Sequence, residues 1–88
     1  MTGETLTLVL YGRVYCHLCN DMERSLEPLQ SEFGFRLQCV DVDADPALED
    51  RYGELVPVLT VGGEELCHYH LDETAVRSRL RALIAGIP

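Results

Sequence analysis

The sequence predicts an α/β fold whose elements follow the order β-α-β-α-β-β-α. A strand-like apolar run at residues 5–11 is followed by a long helical pattern and then by a second strand-like run, which together form a βαβ unit. The pair Gly62 and Gly63 separates two further strand-like runs, as in a β-hairpin. We therefore expect a four-stranded mixed sheet flanked by helices, with the βαβ strands parallel and the hairpin antiparallel.

The βαβ unit comes from the first half of the chain. Residues 5–11 are so rich in apolar side chains that we expect a central strand covered on both faces. The helix is predicted at residues 16–33, and Pro28 within it predicts a kink or an early end. Its apolar residues recur every three or four positions: Leu18, Met22, Leu26, Leu29 and Phe33. Gly34 marks the helix end, and the second strand is predicted at residues 35–42.

The second half of the chain supplies a short helix, the hairpin and a final helix. The short helix is predicted at residues 46–52, because Asp45 before it is a suitable N-cap. The hairpin strands are predicted at residues 58–61 and 65–69. The final helix follows its own cap, Asp72. We expect its buried face to consist of Val76, Leu80, Leu83, Ile84 and Ile87.

Length and charge exclude several classes of protein. The chain has 88 residues, so we expect one domain over residues 1–88. No apolar run approaches the ~20 residues that span a bilayer, and the first residues lack the pattern of a secretory signal, so we expect a cytoplasmic protein. The net charge is −8 and all seven basic residues are arginine. This balance argues against nucleic acid and against a membrane surface as partners, and we expect a monomer.

Two cysteines, Cys16 and Cys19, lie at the junction between the predicted first strand and the predicted first helix. The first turn of a helix has unpartnered N–H groups and partial positive charge, which would stabilise a thiolate at Cys16. Cys19 lies one turn later on the same face, within reach of Cys16. A low-pKa thiol with a second thiol behind it is typical of thiol–disulfide exchange. The same C-x-x-C spacing also binds metals, and this alternative stays open here.

With this motif at its helix start and Val56-Pro57 before its third strand, the sequence resembles the thioredoxin-like superfamily, and most closely the small bacterial glutaredoxin-like proteins. The resemblance covers nearly the whole chain and is most specific at residues 10–19 and 55–59. It implies that Cys16 is the nucleophile and Cys19 the resolving thiol. It also implies that the Val56–Pro57 peptide bond is cis and that both residues line the site beside the substrate.

Three further residues are candidates for substrate contact. Arg13 stands where the resemblance places a basic residue, able to attract a thiolate or a carboxylate. Tyr15 precedes the first cysteine and offers apolar contact to a substrate. His17 follows that cysteine, where a protonated imidazole would further stabilise a thiolate. No residue is assigned to a metal.

The chain departs from the glutaredoxin pattern in two places. The usual Pro-Tyr pair between the cysteines is replaced by His17 and Leu18. The glycine pair that contacts glutathione after the last strand is absent, and Tyr69 and His70 stand there instead, although an acidic pair, Asp72-Glu73, follows. The resemblance therefore implies no bound cofactor and leaves glutathione open as a co-substrate.

The leading interpretation is a thiol–disulfide oxidoreductase that acts on disulfides in proteins or low-molecular-weight thiols, with a reductant that the sequence does not name. Two alternatives from other classes remain: a metal or iron–sulfur carrier that uses the C-x-x-C, and a non-catalytic peptide-binding module at the Val56-Pro57 groove. Cys39 and Cys67 are expected to be buried small hydrophobes. His68 and His70 are expected to be polar surface residues.

Overall fold

The computed structural model describes residues 6–86. Its elements follow the predicted order, which confirms the α/β fold class. The strands are β1 (Thr7–Gly12), β2 (Arg36–Asp41), β3 (Val58–Val61) and β4 (Glu64–His68), and the helices are α1 (His17–Phe33), α2 (Pro46–Tyr52) and α3 (Glu73–Ile84). Within residues 6–86, no helix combines the length and the apolar composition that a bilayer crossing requires.

The four strands form one mixed sheet in the order β2-β1-β3-β4. β1 runs parallel to β2, with Thr7 opposite Arg36, and antiparallel to β3, with Leu10 opposite Leu59. β3 and β4 form the predicted antiparallel hairpin. The predicted central position of the first strand is confirmed, since β1 has a partner strand along both of its edges.

Two apolar clusters cover the two faces of β1. On one face, α1 and α3 pack against the sheet through a cluster that contains Leu8, Leu10, Met22, Leu26, Leu29, Leu59, Val76 and Leu80. On the other face, Tyr52 of α2 packs with Val42 and Val58, and its ring stacks on Tyr11 with the ring centroids 4.2 Å apart. Because successive side chains of a strand point to opposite faces, β1 contributes to both clusters. The carboxyl end of β1, where the loop to α1 begins, is thereby held from both sides.

Carboxylate caps set the start of two helices, as the sequence predicts. The Asp45 side chain accepts a hydrogen bond from the Ala47 N–H at 2.9 Å, and α2 follows it. The Asp72 side chain accepts from the Ala75 N–H at 3.1 Å, and α3 follows it. Each cap satisfies a backbone donor that the helix itself cannot pair.

The end of α1 differs from one prediction. The helix does not end early at Pro28 but continues to Phe33. Pro28 is exposed, so the carbonyl group that its missing N–H leaves unpaired lies on the water-facing side of the helix. Gly34 then ends α1 with φ of 75°, a left-handed conformation that glycine adopts without steric cost.

Two strand ends also differ from their predicted positions. The strand predicted at residues 35–42 spans Arg36–Asp41, because Val42 begins a single turn of 3₁₀-helix and its buried side chain joins the cluster around α2. The strand predicted at residues 65–69 spans Glu64–His68, because Tyr69 has φ of 64° and leaves the extended conformation.

Three side chains predicted to be buried are exposed. Leu18 lies in the first turn of α1, and Ile84, 57% exposed, is the last residue of α3. Both lie at helix ends, away from the middle turns that pack on the sheet. Cys39 is exposed because β2 is an edge strand with a neighbour on one side only. Cys67 is buried, as predicted, whereas Ile87 and the predicted first-strand residues before 6 lie outside the described part of the chain.

Candidate functional site

The sulfur of Cys16 lies at the amino end of α1. Cys16 is the N-cap residue, with an extended backbone, and the helix begins at His17. Its Sγ accepts a hydrogen bond from the Cys19 N–H at 3.1 Å. No acidic side chain lies in the first turn of α1, so nothing in that turn opposes negative charge on the sulfur. This is the helix-start placement that the sequence predicts for a stabilised thiolate.

Cys16 and Cys19 are joined as a disulfide, with their Cα atoms 5.2 Å apart, within the usual range for a bridged pair. The two residues differ in access. Cys16 is half-buried, whereas Cys19 is only 7% exposed. An external thiol or disulfide can therefore reach the sulfur of Cys16 more readily than that of Cys19.

Gly12, the last residue of β1, packs directly against Cys19. A Cβ atom at position 12 would lie 3.0 Å from Cys19 Sγ and 3.2 Å from Cys19 Cβ, closer than side-chain atoms normally approach. The end of the strand thus forms the wall behind the second sulfur. Gly12 was not among the predicted site residues, although a glycine between a buried strand and a C-x-x-C is a signal that could have suggested a close approach.

The Val56–Pro57 segment approaches the same end of the sheet. Its peptide bond is cis, as the resemblance implies. Val58 lies opposite Tyr11 in the antiparallel register, so an extension of that register by one residue brings Pro57, which directly precedes β3, next to Gly12, the last residue of β1. Because Gly12 contacts Cys19, the register brings the proline segment and the cysteine pair to the same end of two neighbouring strands.

Arg13 anchors the loop between β1 and α1 to the other side of the molecule. Its guanidinium pairs with Asp43 and Glu49 and donates a hydrogen bond to the Gly53 carbonyl at 2.9 Å. The hydrogen bond from Arg13, together with its charge, holds the pKa of the Glu49 carboxyl below its usual range. The acceptors that surround Arg13 come from distant parts of the sequence, and no local pattern identified them.

Exposed apolar side chains flank Cys16 in the sequence, and we call them the apolar rim. Tyr15 is 99% exposed, and Val14 and Leu18, on either side of Cys16 in the sequence, are also exposed. His17 between the cysteines is exposed as well. Tyr15 and His17, two of the predicted contact residues, are therefore accessible to solvent beside Cys16 in the sequence.

A cavity of about 190 Å³ lies between the end of β2 and the first turns of α1. Cys19, Glu23 and the exposed Cys39 are among the residues that line it. Partial desolvation of its sulfur raises the pKa of the Cys39 thiol, and the negative charge of Glu23 raises it further. A neutral thiol is a poor nucleophile, so Cys39 is a weak candidate for the chemistry despite its position.

The remaining candidates lie around β4. His68 Nδ1 is 2.7 Å from a carboxylate oxygen of Glu65, and both side chains are exposed. His70 is exposed, as predicted for a surface residue. Among residues 6–86, no three histidine, cysteine, aspartate or glutamate side chains come together in a group that could hold a metal ion.

Comparison with known proteins identifies relatives of this sequence and of its fold. The sequence matches the glutaredoxin-like domain over residues 7–81. It is 30% identical over 84 residues to the uncharacterised protein Rv0508 of Mycobacterium tuberculosis, an alignment that covers 90% of this chain and 87% of that protein.

Solved structures agree with the sequence match. The solution structure of protein Ne2328 from Nitrosomonas europaea is similar with a TM-score of 0.81 and 38% identity, over 90% of this chain and 95% of that chain. Thioredoxin from Trypanosoma brucei brucei is similar with a TM-score of 0.59 and 25% identity, over 97% of this chain and 80% of that chain. These likenesses confirm a thioredoxin-like fold, and because the domain match spans most of the sequence, the chain belongs to the glutaredoxin-like domain family.

Proposed function

We propose that the protein is a thiol–disulfide oxidoreductase that acts on disulfides in proteins or low-molecular-weight thiols. The observation that carries this proposal is the position of Cys16, whose sulfur caps the amino end of α1, accepts the Cys19 N–H and is bridged to Cys19. Hydrogen bonding and the helix dipole both favour the thiolate form, which is the reactive species in exchange.

The reaction begins with the reduced protein. The Cys16 thiolate attacks one sulfur of the substrate disulfide, a mixed disulfide forms, and the other substrate sulfur leaves as a thiolate that takes a proton from water. The Cys19 thiol then loses its proton to solvent and attacks Cys16 Sγ. The Cys16–Cys19 bond forms and the second substrate thiol leaves. Two electrons pass from the dithiol to the substrate, and an external thiol reductant must return them.

The difference in access between the two sulfurs fits these roles. The half-buried Cys16 can meet a substrate, whereas Cys19 lies against Gly12 and is almost fully buried. A shielded second thiol reacts with its neighbour 5.2 Å away, Cα to Cα, rather than with a second substrate molecule. This order of attack releases a fully reduced substrate and leaves the protein oxidised.

Substrate contacts fall on the residues around Cys16. The exposed Tyr15 and His17 border the sulfur, and Val56 and Pro57 lie at the same end of the sheet. The guanidinium of Arg13 is already paired with Asp43 and Glu49, so we expect it to act on the substrate mainly by fixing the loop. In this proposal the protein works as a cytoplasmic monomer without a bound cofactor, and glutathione is one candidate co-substrate.

Reduction of insulin disulfides tests the proposal. We expect Cys16→Ser to abolish turnover, because the nucleophile is gone. We expect Cys19→Ser to accumulate a mixed disulfide with the substrate, which mass spectrometry of the intact adduct detects. Cys39→Ser is the matched control and should retain the wild-type rate, since its thiol is neutral near pH 7. Full activity in Cys16→Ser would contradict the assignment.

A further inference from the structure

Tyr69 adopts a backbone conformation that tyrosine rarely takes. Its φ of 64° lies in the left-handed region, and within residues 6–86 it is the only residue other than glycine with a positive φ. A bulky side chain in this region carries a steric cost. Such a conformation persists only where the surrounding contacts hold it, and it is frequent at functional sites.

Two hydrogen bonds hold Tyr69, and both go to the segment that contains the cis proline. The Tyr69 N–H donates to the Pro57 carbonyl at 2.9 Å. The Tyr69 hydroxyl donates to the Glu54 carbonyl, also at 2.9 Å. One residue therefore fixes both ends of the segment formed by residues 54–57.

Within that segment the Leu55 N–H donates to the Tyr52 carbonyl at 2.8 Å, and Val56 is left without such a partner within residues 6–86. Among the described residues, no hydrogen bond is found to the backbone of Val56. Pro57 itself is fully buried and stands beside Gly12, which contacts Cys19. A substrate chain that reaches Cys16 thus meets an unpaired backbone edge whose two flanks are both held by Tyr69.

We propose that Tyr69 is a positioning residue for substrate binding, which holds the backbone of Val56 and the ring of Pro57 in place beside the cysteine pair. The inference rests on the proposed function and adds to it. The hydrogen bonds of Tyr69 go to Pro57 and Glu54, so it acts on the affinity for a disulfide-bonded peptide and leaves the reactivity of Cys16 unchanged.

Tyr69→Phe isolates this role, because it removes only the hydroxyl bond to Glu54 and keeps the ring, the backbone conformation and the bond to Pro57. One neutral hydrogen bond corresponds to about a fivefold effect in an equilibrium constant. We expect the KM for a disulfide-bonded peptide to rise about fivefold with kcat unchanged. The alkylation rate of Cys16 by iodoacetamide, which needs no docked peptide, should equal that of the wild type.

Glu54→Ala is the matched control. It removes the exposed Glu54 side chain but keeps the carbonyl group that accepts the tyrosine hydroxyl, so the KM should stay at the wild-type value. Tyr69→Gly removes the ring while accepting the positive φ, and its KM should rise at least as much as that of Tyr69→Phe.

The outcomes separate this inference from the proposed function. An active wild type with a Tyr69→Phe variant of unchanged KM would overturn the inference alone. A fall in Cys16 alkylation that matches the loss of turnover would also overturn it, because the effect would then lie in the chemistry. A wild type without disulfide reductase activity would overturn the proposed function and this inference with it.

Discussion

The contact between Gly12 and Cys19 shows how a single missing methyl group shapes the candidate site. A Cβ at position 12 would lie 3.0 Å from Cys19 Sγ, so Gly12→Ala forces the sulfur or the strand to move. We expect a loss of about 1–3 kcal/mol in the free energy of unfolding, typical of overpacking. We also expect slower attack of Cys19 on Cys16 and a mixed disulfide that persists longer during turnover.

Urea unfolding and rapid-quench mass spectrometry measure these two effects. The control is the same substitution in a Cys19→Ala background, where the sulfur is absent. Because the two residues are in contact, the effects on stability should be non-additive, with a smaller cost for Gly12→Ala when Cys19 is alanine. Equal costs in the two backgrounds would show that the sulfur is not what Gly12 accommodates.

Some residues of the candidate site could be predicted from the sequence, and others could not. Cys16 and Cys19 stand at a helix start, which is a local feature that a sequence pattern shows. The cis bond before Pro57 was predicted from the family resemblance, and the structure contains it. Gly12 and Tyr69 were missed as site residues, since their roles arise from contacts with residues that only the folded sheet brings near.

At the level of elements, α2 is tied to the loop before α1 through Arg13. The hydrogen bond and charge of Arg13 lower the pKa of Glu49 from its ordinary value of 4.5. A carboxyl whose pKa is lower in the folded state stabilises the fold above its unfolded pKa, and this contribution disappears as the pH falls through the folded value. We therefore expect Glu49→Gln to be less stable than the wild type at pH 7.

The difference in the free energy of unfolding between Glu49→Gln and the wild type should become smaller below about pH 4, because the wild-type carboxyl becomes protonated there. Urea unfolding at pH 7 and pH 3 measures it. Glu27→Gln is the control, because Glu27 is exposed on α1 and forms no ion pair among the described residues. An equal difference in the free energy of unfolding at both pH values would contradict a role for the Arg13–Glu49 pair in stability.

The existence of each element was predictable, and some of the boundaries were not. The side chains of Asp45 and Asp72 cap their helices by accepting hydrogen bonds from backbone N–H groups two and three residues later. A sequence pattern can show contacts over so short a distance along the chain. The end of β2 depends instead on where Val42 packs against α2, and the end of β4 depends on contacts of Tyr69 with residues 54 and 57. Tertiary packing decided both ends.

Across the whole molecule, the relative directions of the paired strands follow from chain connectivity, as the parallel β1–β2 pair and the antiparallel β3–β4 hairpin show. A βαβ unit favours a parallel pair of strands, and a two-glycine turn favours an antiparallel hairpin, so a mixed sheet was predictable before any contact was known. The exposure of Cys39 was not, because the sequence does not show that β2 forms the edge of the sheet.

The charge of the whole molecule makes a prediction about substrates. The chain carries fifteen acidic against seven basic residues, for a net charge of −8, so we expect the overall field of the protein to attract positively charged partners. Opposite charge raises the rate of encounter, and salt screens it over about 10 Å at 0.1 M. We expect kcat/KM for a disulfide peptide flanked by lysine to fall as salt is added.

The same peptide flanked by glutamate should react more slowly at low salt and gain rate as salt is added, because screening then removes a repulsion. A neutral small disulfide supplies the control, and its kcat/KM should be nearly independent of ionic strength. Stopped-flow measurement of the three substrates between low and high salt distinguishes steering from a general effect of salt on the protein. Parallel salt slopes for the two charged peptides would show that the acidic surface does not select the partner, and that contacts at the rim and at Val56 decide it alone.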